Sequence, residues 1–175
     1  IAFLTLGGSY AYGTNTEDSD IDLRGVFLSD KREILLNDNT KLVETKKDTD
    51  TVMYTLKKYV DLCAKGNPTA LELLYFAPDR YLYVSDIGME LIKNRDMFLS
   101  KRVYHAYYGC ICSTLSNART KYYKNSDQEK QKKIKRVKKS MMHTVRLLLQ
   151  GFQLLKSGTM YGTIYDNKQF VDIKN

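Results

Sequence analysis

The chain has 175 residues, 43% of them hydrophobic and 27% charged, an ordinary balance for a globular protein with one modest core. No apolar run approaches the ~20 residues needed to cross a bilayer, so we expect a cytoplasmic protein with no secretory leader and no membrane partner. The formal charge of +8, with a pI near 9.2, favours polyanionic partners such as nucleic acid or nucleoside triphosphates.

Residue 1 is Ile rather than Met, and both ends of the chain are abrupt, so we expect further residues upstream. Ile1–Leu6 is continuously apolar and reads as a buried strand. Gly7-Gly8-Ser9 breaks it and opens a short helix through Ala11 and Tyr12 to Gly13. A polar loop, Thr14–Ser19, leads to a second strand, Asp20–Leu28. Lys41–Thr45 and Thr51–Leu56 are further strand candidates, and the pattern turns helical from Lys57 to Ala64. Gly66-Asn67-Pro68 stops that helix, and Thr69-Ala70-Leu71-Glu72 offers a capping box into the next. The second half is helical. One long helix is expected over Asp96–Lys124, a turn at Asn125-Ser126-Asp127, and a second helix over Gln128–Lys156, ended by Ser157-Gly158. The core-facing stripe of that last helix is expected at Ile134, Val137, Met141, Val145, Leu148, Phe152 and Leu155. Cys63, Cys110 and Cys112, an odd number with no zinc-like spacing, read as reduced core thiols.

The chemistry concentrates in Asp20-Ile21-Asp22-Leu23-Arg24. On a strand, Asp20, Asp22 and Arg24 share one face. Adjacent carboxylates repel each other, and a hard divalent cation such as magnesium removes that repulsion. By itself the pattern is equally that of a solvated edge strand. The upstream turn adds weight: Gly7 and Gly8 let the backbone approach closely, and Ser9 adds a hydroxyl, so a phosphate fits there.

Gly8-Ser9, ten residues, then Asp20-Ile21-Asp22 resembles the signature of the DNA polymerase beta superfamily of nucleotidyltransferases. The fuller stretches Gly8–Thr14 and Ser19–Phe27 resemble the branch assigned to RNA-repair pathways, supported by Gly66–Leu74 and His143–Leu148. The resemblance implies an α+β fold, with a small mixed β-sheet nucleotidyltransferase core over 1–95 and a C-terminal helical subdomain over 96–175. It implies transfer of a nucleotidyl group from a nucleoside triphosphate, ATP among them, to an acceptor hydroxyl, RNA being the favoured acceptor. It also implies two Mg2+ ions, with Mn2+ as the alternative. Asp20 and Asp22 become metal ligands, and Gly8 and Ser9 triphosphate contacts. A third carboxylate on a later strand is implied too. Glu44, Asp48 and Asp50 are the candidates; Asp50 is favoured because it leads directly into Val52-Met53-Tyr54, with Asp48 second. Arg24 either touches the triphosphate or orients an aspartate.

On the last helix Lys139, His143, Arg146 and Gln150 form a polar stripe, either solvated or facing the nucleotide, with His143 and Arg146 the candidate contacts. Lys130, Lys132, Lys133, Lys135, Arg136, Lys138 and Lys139 offer an RNA or DNA backbone surface, or a plain solvated face. Three other functions compete. One is protein or small-molecule nucleotidylation of the toxin–antitoxin type. Another is ribonuclease chemistry like that of the helical HEPN proteins, through Arg136 and His143. The last is non-catalytic nucleic-acid binding.

Overall fold

A computed structural model describes residues 1–17, 19–36, 42–45, 49–124 and 130–160. Among these, five strands form one mixed sheet: β1 (Phe3–Leu6), β2 (Asp22–Phe27), β3 (Leu42–Thr45), β4 (Asp50–Thr55) and β5 (Tyr81–Val84), in the spatial order β3-β4-β2-β1-β5. β2 is central. It pairs antiparallel with β1, Leu6 facing Leu23, and parallel with β4, Asp22 facing Asp50. The parallel pairing puts the first residues of β2 and β4 at the same end of the sheet. The short helix α1 (Gly8–Tyr12) leaves β1 at that end, stopped by Gly13 in the left-handed region at φ 67°.

Three elements escaped the sequence reading. α2 (Lys31–Leu35) starts at Asp30, whose side chain accepts from the Glu33 amide, and α5 (Asp86–Lys93) starts at Ser85, which accepts from Gly88 in the same way. β5 is a four-residue edge strand with Leu82 and Tyr83 exposed, so it lacks the alternation that marks a half-buried strand.

α3 (Leu56–Ala64) and α4 (Pro68–Glu72) follow β4. The cap of α4 is Asn67, whose side chain accepts from the Ala70 amide with Pro68 in the first turn, not the expected box from Thr69 to Glu72. From Ala70 to Phe76 every residue is buried. The Tyr59 hydroxyl donates to the Ala70 carbonyl at 2.9 Å, and the Tyr81 hydroxyl donates to Leu73 at 2.6 Å. Phe3 lies edge-on to both tyrosine rings, so this segment and the sheet share one core.

The helical half is an antiparallel pair, α6 (Lys101–Lys124) and α7 (Lys130–Ser157). α6 starts five residues later than expected. Arg95–Phe98 form a 3-10 turn with Phe98 buried, and the Ser100 hydroxyl then accepts from the Arg102 amide, where a new helix begins. The buried face of α7 also differs from the expected stripe. Thr144, Leu147, Gln150, Gly151 and Leu154 face inward, while Ile134, Met141, Leu148, Phe152 and Leu155 are exposed. Two contacts set this rotation. Gly151 lies against the Tyr107 ring, where a β-carbon would stand 3.0 Å away, and polar residues of α7 bond to a buried carboxylate described below. Hydrophobic periodicity could not see a core face built partly of Thr, Gln and Gly. The turn expected at 125–127 lies outside the described residues.

Candidate active site

Leu6 is the last paired residue of β1, and the Gly7 amide then donates to the Asp22 carbonyl at 2.8 Å. This extra rung presses the next residue, Gly8, against the Asp22 side chain. Gly8 has φ 52°, in the left-handed region, and a β-carbon there would fall on the Asp22 carboxylate itself. Only glycine meets both demands. Across the parallel pair, Asp50 stands opposite Asp22. Arg24, two residues along β2, projects on the same face. Its guanidinium lies 3.4 Å from Asp22 and 3.6 Å from Asp50, and it donates to the Leu23 and Asp50 carbonyls at 2.9 and 2.8 Å. Arg24 is thus a strap across the two strands that carry the carboxylates. Burial raises the Asp22 carboxyl above its ordinary value; Arg24 opposes that shift, and Asp50, close enough to share a hydrogen bond, adds to it. Lys139 of α7 also acts on Asp22 through its charge, so the helical pair reaches this end of the sheet.

Asp20 stands apart. β2 begins at Asp22, leaving Asp20 exposed in the preceding loop, so the strand alternation expected to align both aspartates does not extend to it. Among the described residues no three His, Cys, Asp or Glu side chains converge on one point. The Asp22–Asp50 pair nevertheless fits a divalent cation in its chemistry: two facing oxygen donors, one partly buried and disfavoured as a bare anion.

A second polar cluster ties α7 to the core. Glu72 of α4 is 5% exposed. Its Oε2 accepts from Arg146 at 2.9 Å and from Gln150 at 3.3 Å. Arg146 also donates to His143 Nδ1 at 2.7 Å and lies over the Tyr12 ring, 4.0 Å from its centre. A guanidinium can only donate, so His143 Nδ1 is the acceptor and the neutral ring carries its hydrogen on Nε2. Burial lowers the His143 pKa, consistent with a neutral ring. Burial pushes the Glu72 carboxyl up to about 8, opposed by the Gln150 hydrogen bond and the Arg24 charge, and burial pushes Arg146 down to about 10. Tyr12 belongs to α1, so the cluster spans α4, α7 and the helix that follows Gly8.

The family model of RlaP, the RNA repair pathway DNA polymerase beta family, matches residues 1–165. The chain belongs to this family. It is also 30% identical over 116 residues to the protein of enterobacteria phage T4 described as an uncharacterized 38.9 kDa protein in the nrdC-mobD intergenic region; the match covers 59% of this chain and 34% of that protein. The chain therefore spans about a third of the length of this relative. Membership of a DNA polymerase beta-like family suggests a nucleotidyltransferase, and the superfamily typically uses divalent metals.

In this RlaP-family chain, Gly8, Asp22, Arg24 and Asp50 come together at one end of the sheet, with Ser9 beside them in the first turn of α1. His143 and Arg146 come together on α7, but Arg146 is committed to Glu72. The side chain of Glu44, the position of Asp48 and most side chains of the basic run 130–135 lie outside the described residues; Arg136 and Lys139 are exposed. Glu72 was missed as a polar centre. Its signal was there: a single carboxylate within an otherwise apolar run, Ala70–Phe76, has to be paired once that run is buried. No described helix is long and apolar enough to cross a membrane.

Proposed function

We propose that this protein is a metal-dependent nucleotidyltransferase that moves a nucleotidyl group from a nucleoside triphosphate, such as ATP, to an acceptor hydroxyl on RNA. The observation that carries the reading is the pairing of Asp22 with Asp50 across parallel strands, with Gly8 held against Asp22. In this reading the catalytic core is 1–95 and the helical subdomain 96–175 closes over it. Asp20, Asp22 and Asp50 hold two Mg2+ ions, or Mn2+ in their place, and these would neutralise phosphate charge and lower the cost of attack at phosphorus. Asp20, exposed ahead of β2, joins the other two when ligand binds. Gly8 and Ser9 offer a backbone turn and a hydroxyl to the triphosphate. Arg24 orients Asp22 and Asp50, as its ion pairs support, and stays within reach of phosphate. Asp50 takes the acceptor's proton in this reading, supported by its being the more exposed of the pair at 46% against 23%. His143 offers Nε2–H to the nucleotide, and Arg146 fixes that ring. The basic run 130–139 draws in the acceptor's phosphates.

The test is calorimetric titration with each of the four ribonucleoside triphosphates, with and without Mg2+, beside the double variant Asp20→Asn/Asp22→Asn. Metal-dependent binding that the double variant loses supports the assignment. Incubation with labelled nucleotide and separate RNA, protein and small-molecule pools then identifies the acceptor. Transfer that Asp22→Asn retains would sink the carboxylate site.

A further inference from the structure

α6 and α7, 24 and 28 residues long, contain fourteen Lys and Arg and not one Asp or Glu. The charge is only half of what α6 presents. Successive residues of an α-helix are about 100° apart, so Lys101, Tyr104, Tyr108, Leu115, Arg119 and Tyr122 fall within one stripe along it. All six are exposed, Tyr104 at 51% and Tyr108 at 59%. The neighbouring face, with Val103, Tyr107 and Ala118, is the buried one, about 100° around the helix. The Tyr104 and Tyr108 rings are nearly parallel, 13° apart with centres separated by 6.2 Å, and form a short aromatic stack along the exposed stripe. Beside Tyr104 a groove of about 490 Å3 opens between α6 and the end of α7, lined by Leu99, Val103, Leu154 and Leu155. It shares no residue with the carboxylate site.

Exposed aromatic rings on helices that carry no carboxylate match one class of ligand. A protein partner with an acidic face would answer the charge but leave the rings without a reason. A second copy of this chain would bring like charge against like. A duplex hides its bases, so the rings would have nothing to stack on. A single strand offers both a polyanionic backbone and unstacked bases. From Lys101 to Tyr122 the stripe runs about 32 Å, enough for a run of several bases.

We propose that the exposed stripe of α6 binds single-stranded RNA, with bases stacked on Tyr104 and Tyr108 and phosphates held by Lys101 and Arg119. This rests on the RNA acceptor proposed above and gives that acceptor a track distinct from the basic run of α7. The binding needs neither triphosphate nor metal.

The experiment is fluorescence anisotropy of the whole chain with a labelled 12-nucleotide single-stranded RNA, without nucleotide and with chelator. The variants are Tyr104→Ala/Tyr108→Ala, Tyr104→Phe/Tyr108→Phe and Arg119→Ala. We expect the alanine pair to weaken binding at least fivefold per ring while the phenylalanine pair binds as the parent does. Arg119→Ala should lower the slope of log affinity against log salt by about 0.7. The same sequence as a duplex should compete poorly. Unchanged binding by the alanine pair overturns the proposal, as does a parent chain that binds no single strand. So does a dimer that the alanine pair dissociates with RNA affinity unchanged, which would make a second copy the occupant. The calorimetric titration is independent of this surface. Its failure with RNA binding intact counts against the nucleotidyltransferase reading alone, and its success in the alanine pair shows that the variant is folded.

Discussion

Replacing Arg146 with Met tests the buried cluster that holds α7 to the core. The side chains of Glu72 and Arg146 are 7% and 14% exposed and 2.9 Å apart. Methionine keeps most of the volume and removes the charge, leaving Glu72 with Gln150 at 3.3 Å as its remaining side-chain donor. Breaking a buried pair from one side costs about 3–5 kcal/mol, and the contact with the Tyr12 ring adds about 0.5–2 kcal/mol. Glu72 makes the loss depend on pH. Its carboxyl is raised by burial, so the folded chain holds a proton that the unfolded chain releases near its ordinary value of 4.5. The contribution is therefore fully present below 4.5 and declines as pH rises toward 8, with a limiting slope of about 1.4 kcal/mol per pH unit. In the parent Arg146 stands against the carboxylate as well; the variant keeps only the Gln150 hydrogen bond and the Arg24 charge to oppose the cost of burial. Urea unfolding at pH 5 and pH 8 should show a small deficit at the lower pH and the full deficit at the higher. Adding Glu72→Gln to Arg146→Met should restore at least about 2 kcal/mol and flatten the pH profile. A deficit under about 1 kcal/mol, or one that is the same at both pH values, would refute the account of Glu72 as a buried charge needing its partner.

Three further outcomes follow from the geometry. Gly8→Ala should cost about 1–2 kcal/mol for its left-handed backbone alone and abolish metal-dependent nucleotide binding by displacing the Asp22 carboxylate; calorimetry showing parental affinity would contradict the close approach. Asp22→Asn should lower transfer by about three orders of magnitude and remove a source of instability. The raised Asp22 carboxyl favours the folded state less as pH rises through its folded value, so the variant's denaturation midpoint should fall less than the parent's over that range. His143 should stay neutral at pH 7 with its hydrogen on Nε2, read from imidazole nitrogen shifts; an Nδ1–H signal would break the Arg146 contact.

What the sequence revealed and concealed divides along physical lines. Gly8 and Asp22 were legible in the Gly7-Gly8-Ser9 break and the Asp20-Ile21-Asp22 pattern, while Asp50 came only through the family resemblance, as the favoured of three candidates. The register that sets Asp50 opposite Asp22 was not visible, because parallel pairing joins distant segments and leaves no local trace. The helices of the second half were legible as helices, but the rotation of α7 was not. Leu148, Phe152 and Leu155 gave the stronger periodic signal, while Thr144, Gln150 and Gly151 are buried because of particular partners, Glu72 and Tyr107. Sequence periodicity reports hydrophobicity, and it fails where a buried face is polar and satisfied.

The parallel pairing of β2 with β4 also bears on how the chain folds. Asp22 and Asp50 meet only after the connection through α2 and β3 has closed, and that closure has to be completed before any contact between the strands rewards it. No local hairpin can assemble this site early. A ligand held by both carboxylates therefore sees only the finished sheet and stabilises it by mass action. Binding of such a ligand would report that β2 and β4 have paired.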